Sequence, residues 1–243
     1  KKEDADSVIF CYYRESSKGN TSKDIFGKEK IIFDKEDVYN KILIPTLGLT
    51  GDRLKKPQRL DTLVPIYAKI YKTKIIKEKK IKYMSLDKIP SECLLFNFDY
   101  YLQSTRVVYI NNYLYHYRRN NFSSITKGYR EKLFDKWIFW IEYMRKRKEL
   151  KNKELLKAFY SRICFSVIPL SGNTIKKRKF IELYKEMKKI LNNPYYKEAY
   201  NYLEFNYLPI HWKVYFYFAK NRLTFLFCIL SKIMRMLIER KKR

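Results

Sequence analysis

Between residues 91 and 118 the hydrophobic period changes once, from about 3.6 residues to 2, and this change limits the chain to folds that pack helices on a sheet. Ser91 is an N-cap residue type, and the apolar positions Leu94, Leu95, Phe98, Tyr101 and Leu102 then recur at the spacing of one buried helical face. Arg106-Val-Val-Tyr-Ile110 follows as a short β-branched run. Asn111-Asn112 tolerates the positive φ of a tight turn, and Tyr113-Leu-Tyr-His-Tyr-Arg118 alternates as a second strand. The expected motif is helix, strand, turn, strand.

Upstream, Asp6 to Tyr13 is a continuous apolar run of strand length, Arg14 to Lys30 is polar and reads as a loop, and Ile31-Ile-Phe33 reads as a short strand. Asp34 caps a helix expected from about Lys35 to Leu47, with Asp37 at N3, Val38, Ile42 and Leu43 on one face, and Gly48 and Gly51 ending it. A polar connector containing Pro57 leads to Leu60–Tyr71, apolar enough for a buried helix or strand despite Pro65. Lys69 to Lys82 places seven lysines among isoleucines and reads as a half-buried element with a solvated face.

From Tyr129 the periodicity is helical. Three helices are expected, through Leu133, Phe134, Trp137, Ile141 and Met144, then Leu155, Phe159, Ile163 and Val167, then Phe180, Leu183, Met187 and Leu191. The expected breaks are Ser171-Gly-Asn-Thr174 and Asn192-Asn-Pro194. The last segment, about Trp212 to Arg243, is aromatic and apolar but punctuated by Lys220, Arg222, Lys232 and Arg235, so that its longest uncharged run is the nine residues Leu223–Ser231. A membrane span needs about 20 apolar residues. The pattern fits an amphipathic helix at a membrane surface, with Arg240-Lys-Lys-Arg243 on anionic lipid, or a final core helix with a basic tail.

The whole chain has 243 residues and a formal charge of +28, of which residues 1–127 carry +10 and residues 128–243 carry +18. Such a field selects polyanionic partners without choosing among nucleic acid, anionic lipid and phosphorylated substrates. Cys11, Cys93, Cys164 and Cys228 are far apart and form neither a disulfide framework nor a zinc-ligand spacing, which makes a reducing cytosol the expected setting. The polar start Lys1-Lys-Glu-Asp-Ala-Asp6 leads into a strand rather than an apolar h-region, so these residues are not expected to act as a signal sequence.

Glu92-Cys-Leu-Leu-Phe-Asn97, Val107-Val-Tyr-Ile110, Leu114-Tyr-His-Tyr-Arg118 and Ser123-Ser-Ile-Thr126 together resemble the second half of bacterial family 2 glycosyltransferases, with Gly-Glu-Asp-Leu-Leu-Phe-Asn and later Leu-Tyr-x-Tyr-Arg. Tyr67-Ala-Lys-Ile-Tyr-Lys72 is similar to the family's Trp-x-Lys-Leu-Tyr, and Asp6-Ser-Val-Ile-Phe-Cys-Tyr-Tyr13 to the strand after its metal-binding aspartates. The resemblance covers about residues 3 to 127. It implies an α/β class, with a partial GT-A-like mixed sheet and helices as an acceptor-side domain over 1–127, followed by a basic helical region over 128–243. It also implies a fragment or truncated homologue, because the N-terminal nucleotide-binding unit and its Asp-x-Asp have no counterpart in these residues. A divalent metal, Mg or Mn, is implied with its ligands outside this chain.

Glycosyl transfer needs a base for the acceptor hydroxyl and cations for the departing diphosphate. The resemblance places Glu92 and Cys93 at the base, with Cys93 where the family has Asp, and makes Arg118, His116 and Lys69 candidates for substrate and diphosphate binding. Glu92 stands at a helix start, where free backbone N–H groups hold a carboxylate, whereas an ordinary thiol is mostly protonated at neutral pH. His116 and Arg118 are two apart on a strand and face one side. His211 and Arg119-Asn120 carry no motif.

The implied activity is transfer from a nucleotide sugar to a surface-polysaccharide or lipid-linked acceptor, by a protein peripheral to the cytoplasmic face of the membrane. Two other classes stand beside it. One is a non-catalytic module docking at a membrane surface. The other is a nucleic-acid binder, which +28 and 23 tyrosines allow but no recognised motif accompanies, so nucleic acid is not an expected partner.

Overall fold

The computed structural model describes residues 2–16, 19–27, 29–118, 128–177 and 179–240, without the side chains of 238 and 239. Lys1, Arg119-Asn120, the Ser123–Thr126 motif and the tail 241–243 lie outside the described residues. The chain forms two compact units, one of Lys1–Leu47 with Gln58–Ser124, the other of Gly48–Pro57 with Ile125–Arg243. It has a mixed α/β fold with a curled sheet.

The first unit holds that sheet: β1 (Ser7–Ser16), β2 (Gly19–Lys23), β3 (Lys30–Phe33), β4 (Lys69–Tyr71) and β5 (Val107–Arg118). Its order is β2-β1-β5-β3, with β4 pairing β1 beside Ser7–Ile9. The β1–β5 pair is parallel and the others are antiparallel. The expected loop at 14–30 contains β2, a hairpin partner of β1 entered through Gly19 at φ +106. Its Gly-Asn-Thr-Ser-Lys sequence has no apolar alternation to mark it, since it buries neither face.

The helix expected at 35–47 starts as read, with Asp34 accepting from the Asp37 N–H at 2.9 Å. It is split into α1 (Lys35–Asp37), a wide π turn at Val38–Leu43 and α2 (Ile44–Leu47). Pro45 explains the widening, because its ring cannot follow a regular α turn or donate into one. Of the apolar stretch 60–71 only Lys69–Tyr71 is strand; turns and irregular chain make up the remainder. α3 (Thr73–Glu78) and α4 (Glu92–Tyr101) follow, and Ser91 caps α4 by accepting from the Leu94 N–H at 3.4 Å.

The turn expected at Asn111-Asn112 is not formed. β5 runs on as one strand, in parallel register with β1 from Ser7↔Val107 to Glu15↔Arg118, and Asn111, Asn112 and Leu114 are the three residues that fall out of that register. They form β-bulges, and neither asparagine takes a positive φ. The Asn111 side chain stays inside the sheet, its Oδ1 accepting from Cys11 Sγ (3.1 Å) and Tyr109 Oη (3.3 Å). Pairing with β1 on both sides of the bulge keeps the chain from reversing. At the other end Asp6 Oδ2 accepts from the Thr105 and Arg106 N–H groups, aligning the starts of β1 and β5.

The second unit contains α5 (Leu133–Arg145), α6 (Lys153–Ile175), α7 (Phe180–Asn192), α8 (Pro194–Ala199), α9 (Ile210–Lys220) and α10 (Thr224–Arg240). Asn152 caps α6 and Asn193 caps α8, the latter with Pro194 in the first turn. The break expected at Ser171–Thr174 is instead the last turn of α6. Buried Asn173 pairs with both backbone groups of Arg130 at 2.8 Å, and Thr174 bonds back to the Leu170 carbonyl, so polar side chains that would favour a loop are consumed inside the helix. The C-terminal segment is two helices, broken at Asn221–Leu223 where Arg222 takes φ +58. No helix among the described residues is long and apolar enough to cross a membrane.

Candidate active site

Lys69, on β4 opposite Ile9, is buried, and its Nζ donates to the Leu63 (2.9 Å) and Pro65 (2.5 Å) carbonyls. Burial brings this ammonium down to about 7. Lys69 thus holds the 63–66 loop and turns away from solvent.

That loop meets the start of α4. Asn97, fully buried, donates from Nδ2 to the Val64 and Cys93 carbonyls, each at 2.8 Å, and accepts at Oδ1 from Tyr71 Oη at 2.7 Å. Glu92 and Cys93 are both half-buried in the first turn, with Cys93 Sγ 3.5 Å from Glu92 Oε1. Burial and then the Glu92 charge push the Cys93 thiol up to about 11, so a helix N-terminus does not activate it and it stays protonated at neutral pH. Tyr83 stacks on Phe96 at 4.4 Å, and burial, then the charges of Cys93 and Glu92, push its phenol well above the usual range.

The predicted residues therefore divide. The structure brings Glu92, Cys93 and Lys69 together around the 63–66 loop. His116 and Arg118 do share one face of β5, as their spacing requires, but at rows opposite Tyr13 and Glu15, four and six residues along β1 from the Lys69 row. That is about 13 and 20 Å along the strand. There His116 Nδ1 lies 2.6 Å from Glu15 Oε1 and the imidazole packs on Tyr13, while Arg118 is exposed. His211 is exposed in the first turn of α9.

The sequence reading missed the residues on the opposite face of the same strands. Tyr67 stacks on Tyr115 and Tyr117, each at 4.9 Å, and meets the edge of Tyr12 at 5.1 Å. Arg14 donates to Tyr12 Oη at 3.3 Å with its guanidinium 5.8 Å from that ring. This aromatic platform with one cation adjoins the loop that Lys69 holds. The available signal was strand alternation, since Tyr12 and Arg14 are two apart just as His116 and Arg118 are.

Among the described residues, no group of three or more His, Cys, Asp or Glu side chains is gathered to hold a metal.

No protein-family model matches the chain, and no curated protein matches it. Among solved structures it is similar to the crystal structure of S. aureus TarS 1–349 in complex with UDP-GlcNAc, at 14% identity and a TM-score of 0.54. The match covers 97% of this chain and 61% of that chain. The likeness establishes a glycosyltransferase-type α/β fold for a chain that spans 61% of the structure it matches.

Proposed function

We propose that residues 1–127 are the acceptor-side part of a glycosyltransferase that moves a sugar from a nucleotide-sugar donor to a hydroxyl of a surface-polysaccharide or lipid-linked acceptor. Residues 128–243 are its basic helical region. The observation that carries the reading is the position of Glu92, a half-buried carboxylate in the first turn of α4 beside a thiol that stays protonated. In this reading the acceptor oxygen attacks the anomeric carbon as its proton passes to Glu92. The bond from that carbon to the diphosphate oxygen breaks, and the nucleoside diphosphate leaves with the electron pair. The fold shared with TarS supports the assignment, and the UDP-GlcNAc bound there names the first donor to test.

The test uses protein expressed from the start codon of the reading frame that contains Lys1, with UDP release from UDP-GlcNAc and related donors measured against polysaccharide acceptors. Glu92→Gln should lower turnover by about 10²-fold or more, while Cys93→Ala should leave it near wild type. Wild-type turnover in Glu92→Gln would overturn the assignment. The Cys93 thiol in place of the family's carboxylate favours a second reading, a non-catalytic module that binds acceptor without turning it over. Acceptor binding with no turnover from any donor would select it.

A further inference from the structure

The solvent-facing side of α10 is apolar from Phe225 to Leu237. Phe225, Leu226, Ile229, Ile233, Met236 and Leu237 are all exposed, Phe225 by 57%, Met236 by 52% and Leu237 by 51%. At about 3.6 residues per turn they fall within roughly a third of the helix circumference, with Arg240 as the polar residue among them. The opposite side is fully used: Phe227 and Cys228 are buried, Tyr215 of α9 packs on Phe227 at 4.7 Å, and Ser231 meets Tyr215 Oη at 3.3 Å. α9 repeats the inversion with Ile210 (74% exposed), Val214 and Tyr217. Among the described residues nothing covers these apolar side chains, which face solvent over about 18 Å of helix.

We infer that the α9–α10 face docks on an anionic membrane surface, lying in the headgroup plane. Charge selects this occupant. Residues 205–243 hold nine basic residues against the single acid Glu239, and exposed Lys220, Arg222 and Arg240 stand around the apolar face. Anionic headgroups meet Lys220 and Arg222 at one end of the face and Arg240 at its C-terminal end, while the acyl boundary takes the apolar side chains between them. A second copy of the chain would instead bring two strongly positive segments together. The inference is independent of the glycosyl-transfer reading.

Flotation of the full chain with phosphatidylglycerol-containing and pure phosphatidylcholine vesicles tests it. Recovery with the anionic vesicles should exceed that with neutral ones by more than about ten-fold at low salt and fall at about 0.5 M salt. Ile229→Gln/Ile233→Gln, which keeps the charge and alters exposed positions, should lose most of the binding with an unchanged melting curve. Leu226→Gln/Met236→Gln should do the same. Wild-type protein that stays unbound at low salt, or Gln variants that float like wild type, would overturn the proposal. So would a wild-type dimer that the Gln variants convert to monomer while vesicles stay bare.

Discussion

Gly48 lies so close to Ala158 that a β carbon on Gly48 would stand 2.0 Å from the Ala158 carbonyl oxygen and 2.8 Å from its carbonyl carbon. The obstacle is backbone of α6, which has no rotamer to change. Gly48→Ala should therefore lower stability by about 3 kcal/mol, the upper end of ordinary overpacking, as read by urea denaturation. Ala158→Gly should not rescue it, because the clash is with main-chain atoms. A Gly48→Ala protein as stable as wild type would show that 48–57 and α6 are not packed this way.

Asn97 supplies a second stability test. Removing its side chain leaves the Val64 carbonyl and the Tyr71 hydroxyl without the partners they have in the native protein, and each stranded buried group costs about 1–3 kcal/mol. Asn97→Ala should cost about 3 kcal/mol and Tyr71→Phe about 1 kcal/mol, with the double variant less destabilised than the sum because the two share a bond. Additive losses would mean that the Tyr71–Asn97 bond contributes nothing.

Stability should also depend on pH through Lys69. Its folded value of about 7 lies below the unfolded value of about 10.4, so between these limits the unfolded chain binds the extra proton and stability rises with pH, by at most about 1.4 kcal/mol per unit. Below pH 7 both states are protonated and the burial penalty is present in full. The raised Cys93 thiol acts in the opposite sense, costing stability only once pH passes the unfolded thiol near 8.5. Comparing wild type with Lys69→Met between pH 6 and 8 isolates the lysine. The wild type should gain on raising the pH while the variant stays flat, and parallel profiles would refute the shift.

What the sequence made legible here is what is decided locally. Ser91 and Asp34 each bond an amide three residues on, so their helix starts are readable without the fold. Lys74, Lys77, Lys79, Lys80 and Lys82 are exposed, as a solvated lysine face requires, but the inward turn of Lys69 depends on carbonyls of the 63–65 loop. Asn111-Asn112 has the same local chemistry in a hairpin and in a bulge, and the choice is made by β1, about a hundred residues earlier. The candidate site divides likewise. Glu92 and Cys93 follow from their helix, whereas the Tyr67 platform and Arg14 follow only from the pairing of β1 with β5.

Cys93 gives the last test, because it separates chemistry from position. With its thiol near 11 rather than the ordinary 8.5 or so, the thiolate fraction at pH 7.5 is lower by roughly 10²-fold or more, and iodoacetamide, which reacts with thiolate, should label it correspondingly slowly. Moving the pH from 7.5 to 9.5 should speed labelling by about ten-fold per unit without a plateau, as followed by mass spectrometry of the peptide containing residues 91–97. Glu92→Gln removes the neighbouring charge while keeping an acceptor oxygen beside Sγ, so the same thiol should titrate lower and label faster in that variant. A plateau already reached near pH 8 in wild type would place an active thiolate at the head of α4 and make Cys93, rather than Glu92, the group to test as base.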